Sequence, residues 1–158
     1  MLAKTRPQDA LNRARDISDP WFRAQALSWV ARFTNTAPVS IAAEAAKAAA
    51  DCDDEYKRAA VRAWEISALA ERGYTCEARG VLKDALERAK TVVPPSSRSE
   101  ALLLLIQAAF QVGADDAERA YQVLTTSCNA DDHWRCKRAI REGERLLRGE
   151  TPPRPFFW

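Results

Sequence analysis

Asp19-Pro20-Trp21-Phe22-Arg23 returns, altered but in register, as Asp54-Glu55-Tyr56-Lys57-Arg58 and again as Asp131-Asp132-His133-Trp134-Arg135. An acid opens each block, a ring stands third, and an arginine closes it. Arg98 marks one more copy, with Pro94-Pro95 where the acid would be. With Arg23, Arg58, Arg98 and Arg135 as anchors, the spacings are 35, 40 and 37 residues. The flanks align without gaps. Asp9-Ala10-Leu11 lies over Glu44-Ala45-Ala46 and Asp84-Ala85-Leu86, Ala14 over Ala49 and Ala89, and Trp29 over Trp64 and Leu104. Self-similarity at this period is the signature of a helical-repeat or solenoid chain. The copies cover about 5–37, 38–73, 74–113 and 114–149.

Each copy reads as helix A, a short loop and helix B. Asp19 is placed to cap the first B helix, with Pro20 at the first helical position, where its missing N–H costs nothing. Asp54 and Asp131 are placed to cap the second and fourth in the same way. In the third copy Ser97 and Glu100 form a capping-box pattern, as Thr5 with Gln8 and Asp115 with Glu118 do for A helices. Gly73 and Gly113 stand where B helices should end. The expected helices are 6–17, 20–34, 39–51, 55–72, 76–92, 98–112, 116–128 and 132–148.

One short helix pair cannot enclose its own apolar face, but stacked pairs can. The expected fold is therefore all-α: an α-solenoid of about four antiparallel helix pairs, about eight helices. One domain covers 1–150, and a Pro/aromatic tail covers 151–158. The third B helix, with Ser99-Glu-Ala-Leu-Leu-Leu-Leu-Ile-Gln-Ala-Ala-Phe110, is apolar nearly all round, as an inner helix should be. The last B helix has only a narrow strip, Ala139, Ile140, Leu146 and Leu147, which suits a terminal cap. Trp29, Trp64 and Leu104 are expected in the core.

Composition agrees with helix. Hydrophobic residues make up 47%, alanine and leucine are abundant, and there are 5 Gly and 8 Pro. Net charge is +2, so electrostatic specificity must come from local patches. No apolar run nears the ~20 residues of a membrane span, and residues 1–10 lack a signal-peptide core. A cytoplasmic protein without a membrane partner is expected. The 4 cysteines are too irregular for a disulfide framework and are expected to be reduced.

Gly73-Tyr-Thr-Cys-Glu-Ala-Arg-Gly-Val-Leu-Lys-Asp-Ala85 resembles the second-helix half of a tetratricopeptide repeat, through Gly73, Ala78, Leu82 and Ala85. The first-helix pattern of Trp, Leu, Gly and Tyr is absent, and HEAT-like helix pairs are an equal comparison. The resemblance implies a superhelical scaffold with a concave surface, usually for proteins.

Candidate sites follow from these positions. Trp21, Tyr56 and Trp134 form a ring-bearing loop edge that, with Arg23 and Arg58, is the expected partner surface, because binding hot spots favour Trp, Tyr and Arg. The alternative for Arg23 and Arg58 is structural, pairing with the capping acid or bracing the next repeat. Lys137, Arg138, Arg141, Arg145 and Arg148 share about a third of the last helical wheel. This basic stripe is either a solvated face or a site for acidic protein or nucleic acid. In the tail, Phe156, Phe157 and Trp158 are expected to fold back over the open end of the stack, with a homodimer through the tail or a linear motif as alternatives.

Chemistry is sparse. Cys128, His133 and Cys136 have metal-capable atoms, but structural zinc wants four ligands at paired spacings. His133 is expected to pack at the loop instead. A thiol-dependent enzyme using these residues is the catalytic alternative. No catalytic residue, metal site or cofactor is assigned. The expected function is a protein- or peptide-binding scaffold, and a nucleic-acid-binding repeat protein is the alternative.

Overall fold

Proline or aspartate sets five of the ten helix starts in the computed structural model, which describes residues 2–157. The elements are α1 (Leu2–Thr5), α2 (Pro7–Arg15), α3 (Pro20–Phe33), α4 (Pro38–Ala50), α5 (Glu55–Ala60), α6 (Arg62–Glu71), α7 (Thr75–Ala89), α8 (Pro95–Val112), α9 (Ala114–Cys128) and α10 (Trp134–Leu147). The described residues are all-α. No helix among them is long and apolar enough to cross a membrane.

The Asp19 carboxylate accepts the N–H groups of Trp21 and Phe22 at 2.9 and 3.2 Å. The Asp54 carboxylate accepts that of Lys57 at 2.7 Å. Each satisfies donors that the first helical turn leaves unpaired. α6 ends in a Schellman turn. Gly73, at φ +81°, donates to the Ala70 carbonyl, and Tyr74 donates to that of Leu69. A Cβ on Gly73 would meet nothing within 4 Å. Gly73→Ala therefore isolates the backbone cost, and we expect a loss of about 1–2 kcal/mol in denaturant unfolding.

Several expected boundaries are corrected. The helix expected over 55–72 is interrupted at Val61, where the Trp64 N–H bonds back three residues to the Val61 carbonyl. α8 begins at Pro95 with Pro94 as its cap, so Ser97 and Glu100 lie inside the helix and form no capping box. The proline ring gives the first turn the right φ without a side-chain cap. α2 and α9 start at Pro7 and Ala114, again without a side-chain cap bond. His133, not Asp131, caps α10: its Nδ1 accepts the Arg135 N–H at 3.2 Å, while Asp131 accepts the His133 N–H at 2.8 Å. His133 is exposed and does not fill a packing position.

α3, α5–α6, α8 and α10 form one layer in which each touches the next. α2, α4, α7 and α9 lie outside it; α2 packs on α3, and the other three pack on inner helices of their own and a neighbouring pair. α8 is central: it touches α5, α6, α7, α9 and α10 and buries Leu102, Leu105 and Ile106 completely. Alanines 59, 60, 63, 101, 108, 109, 117, 120 and 139 are all at 0% exposure, so backbones approach closely at the contacts. Outside this core, α7 is tied to α9 by a bidentate pair. Arg79 donates to both Asp116 oxygens at 2.8 and 2.9 Å, which holds that carboxyl below its ordinary range.

Trp29 and Leu104, expected in the core, are corrected to half-buried positions on the free face of the inner layer. A helix apolar all round carries no phase in its sequence, so the pattern could not say which leucine faced outward. Leu105 is buried and its neighbour Leu104 is not.

Candidate interaction groove

Three of the four anchor arginines do the same job. The Arg23, Arg58 and Arg98 guanidinium groups donate to the carbonyls of Ile17, Cys52 and Val92, each six residues back, at 3.1, 2.8 and 3.0 Å. Those carbonyls belong to the turn after an outer helix, whose last C=O groups lack helical partners. Arg23 also reaches Asp51 at 2.9 Å, and Arg98 reaches the Ser127 carbonyl at 3.1 Å, so both brace the following pair. The expected pairing of Arg23 with Asp19 and of Arg58 with Asp54 is not made. Arg58 instead bonds Glu55 at 2.5 Å. Occupied in this way, Arg23 and Arg58 line none of the clefts below. Arg135 lies in the last pair among the described residues. It is exposed and stacks on Trp134, 5.4 Å from the ring centre.

The rings of the loop edge do gather. Trp21 stacks on Tyr56 at 6.4 Å and meets Trp64 edge-on at 5.7 Å. Tyr56, Ser97, Glu100, Trp134, Arg135 and Arg138 line a cleft of about 420 Å³. A second cleft of about 340 Å³ adjoins it and shares Tyr56, Glu100 and Arg138, with Trp64, Leu103 and Leu104 among its walls. Together they make a groove across the free face of the inner layer. Its centre is Arg138, which donates to Glu100 at 2.5 Å, lies 3.5 Å from Glu142, and stacks on Trp134 at 5.4 Å. The Arg138 Nε is buried with no hydrogen-bond acceptor. Burial, and then the Glu100 charge, push the Tyr56 phenol above its ordinary range.

The basic stripe is mostly neutralised. Lys137 pairs with Asp132 at 3.0 Å, Arg145 with Glu150 at 3.6 Å, and Arg148 with Glu144 at 2.6 Å. Of the five cations, Arg141 alone has no ion pair among the described residues.

The tail folds back on its own chain, but not over the open end of the stack. It crosses the middle of the groove face. The Arg154 N–H donates to Gln107 Oε1 on α8 at 2.9 Å. Phe156, 1% exposed, meets Trp64 of α6 edge-on at 5.3 Å. Phe157, 6% exposed, meets Trp29 of α3 edge-on at 4.9 Å. Arg32 covers Phe157 from outside at 4.8 Å and pairs with Glu71. The apolar side chains go where aromatic surface needs cover, and the helix faces of α3 and α6 offer more of it than the end of the stack does. Trp158 lies outside the described residues.

Of the four thiols, that of Cys76 is exposed and the other three are buried. Cys128 and Cys136 are buried, and burial, then the neighbouring Cys136, raises the Cys128 thiol to about 11. A thiolate is the nucleophile, so this environment suppresses reactivity near neutral pH. Among the described residues, no group of three or more His, Cys, Asp or Glu side chains is arranged to hold a metal ion.

Leu103, Gln107, Glu142 and Arg154 are groove residues that sequence reasoning missed. The 38-residue separation of Glu100 and Arg138 is one more than the 37-residue spacing of their anchors, and this near-repeat was the available signal for that pair.

No family model matches the chain, and no curated protein matches it in sequence. Among solved structures, the fold is similar to that of Ton1535 from Thermococcus onnurineus NA1, with a TM-score of 0.67 and 15% identity. The alignment covers 90% of this chain and 42% of that one, so the chain spans under half the length of Ton1535. At this identity the likeness is one of fold.

Proposed function

We propose that the chain is a stacked helical-repeat module that binds a polypeptide across the inner-layer groove and has no reaction of its own. The observation that carries this reading is the tail: an extended, proline-spaced aromatic segment already lies across the Trp21–Trp64–Trp29 face. A surface that buries one such segment has the chemistry to bury another. The repeat reading draws support from the neighbour-only helix contacts and from the shared task of Arg23, Arg58 and Arg98. Ala78, Leu82 and Ala85, on which the tetratricopeptide resemblance rests, are all buried in α7. The paired cations of α10 weigh against nucleic acid, since phosphate binding needs free positive charge.

The test is capture with the tagged full chain from its native lysate, run beside a Trp134→Ala/Arg138→Ala variant. We expect a discrete polypeptide that the variant loses by at least about tenfold while keeping its circular dichroism spectrum; hot-spot truncation has effects of this order. Retention of nuclease-sensitive nucleic acid, released at moderate salt, would replace this reading with the nucleic-acid one.

A further inference from the structure

The geometry points to the tail as a built-in competitor: Arg154–Phe157 occupies the groove as a stand-in for a partner segment carrying a cation, a proline and two consecutive aromatic residues. This deepens the proposed function and rests on it.

Three features carry the inference. First, the tail is held as a ligand is held. Pro152, Pro153, Arg154 and Pro155 are exposed while Phe156 and Phe157 are buried, so two anchor rings do the docking and the segment between them and α10 is spacer. Among the described residues, its one hydrogen bond to the helices runs from the Arg154 N–H to Gln107 Oε1. Second, the receptor side is built in register. Trp29 and Trp64 occupy equivalent positions 35 residues apart, and each takes one phenylalanine edge-on at 4.9 and 5.3 Å. Arg32 closes the site over Phe157, 4.8 Å from its ring centre, and the tail's own Arg154 lies 5.4 Å from that of Phe156. Third, the tail leaves the rest of the groove open. Arg154 borders the cleft of about 340 Å³, and the cleft of about 420 Å³ beside it has no tail residue in its lining.

These features select the occupant. A short tether that already spans to the site gives the attached segment an effective concentration of the order of millimolar. A second copy's tail offers the same contacts without that advantage, so it loses to the copy in cis. A partner that wins must match the two aromatic anchors and add contacts the tail does not make. The open clefts supply them, with Tyr56, Trp134 and the Glu100–Arg138 pair as the extra surface.

The experiment uses the full chain and a fluorescent, amidated peptide of residues 149–157. Anisotropy titrations compare the wild type with a Phe156→Ala/Phe157→Ala variant whose tail can no longer dock. We expect saturable binding to the variant and at least about tenfold weaker binding to the wild type, as a millimolar internal competitor dictates. A peptide with both phenylalanines changed to alanine should bind neither. Phe157→Ala alone, which keeps the Phe156 anchor, should give an intermediate gain and serves if the double variant does not fold. Equal affinity for wild type and variants would overturn the inference, as would absence of binding to folded variants. If the peptide fails while a captured polypeptide still depends on Trp134 and Arg138, the competitor fails and the proposed function stands. A wild-type dimer in sedimentation that the double variant loses would also overturn it, because the tail would then act between copies.

Discussion

Leu105→Ala should cost about 2–5 kcal/mol, the range for emptying a leucine site in a packed core. Leu105 is at 0% exposure on α8, the helix that touches both neighbouring inner helices and two outer ones. The lost methyl groups leave a void that surrounding alanines are too short to fill. For a chain of this size the thermal midpoint should fall by roughly 4–20 °C. Arg141→Ala is the matched control. Arg141 is exposed and free of ion pairs among the described residues, so its loss should change stability by less than about 0.5 kcal/mol. A small effect at Leu105 in calorimetry would mean that α8 is not the centre of the core.

Gly143→Val should destabilise by about 1–3 kcal/mol, against the usual direction for a glycine inside a helix. Replacing a mid-helix glycine with alanine ordinarily gains up to about 1 kcal/mol in propensity. Here α10 lies so close to α9 that a Cβ at 143 would stand 2.8 Å from Tyr121 Cδ2 and 3.0 Å from its Cε2. A ring held between helices cannot yield as a flexible chain end can, and overpacking costs about 1–3 kcal/mol. Valine adds two methyl groups and gives back most of the propensity gain. A double-mutant cycle separates the two effects. With Tyr121→Ala in the background, Gly143→Ala should become neutral or stabilising in urea unfolding. If it still destabilised, the contact with Tyr121 would not be the cause.

The helices were legible because their signals are local. Asp19, Asp54 and Gly73 act on N–H and C=O groups within a few residues, and a sequence window contains all the parties. The anchor arginines were legible as a recurrence, though their acceptors proved to be carbonyls, which a sequence does not distinguish. What stayed hidden was non-local. Gly143 has no visible role until Tyr121 is set against it. Phe156 and Phe157 announced that they needed cover, but choosing between the stack end and the Trp29–Trp64 face required knowing that this face was aromatic and open. The groove was half visible: Trp21, Tyr56 and Trp134 were in view as a loop edge, whereas Leu103, Gln107 and Glu142 come from a surface that helix phase alone leaves undetermined.

The returning tail changes how the chain holds together in time. Helices that touch only adjacent pairs melt from either end, a pair at a time, because nothing distant resists. By pinning Phe157 on Trp29, the tail joins the last helix to the first complete pair and turns a row into a loop. Fraying of α3 then requires Phe157 to leave its site, and a ligand that expels the tail also unfastens the far end. Occupancy of the groove is thereby written into the hydrogen-exchange rates of α3 and α10, the two helices the tail ties together.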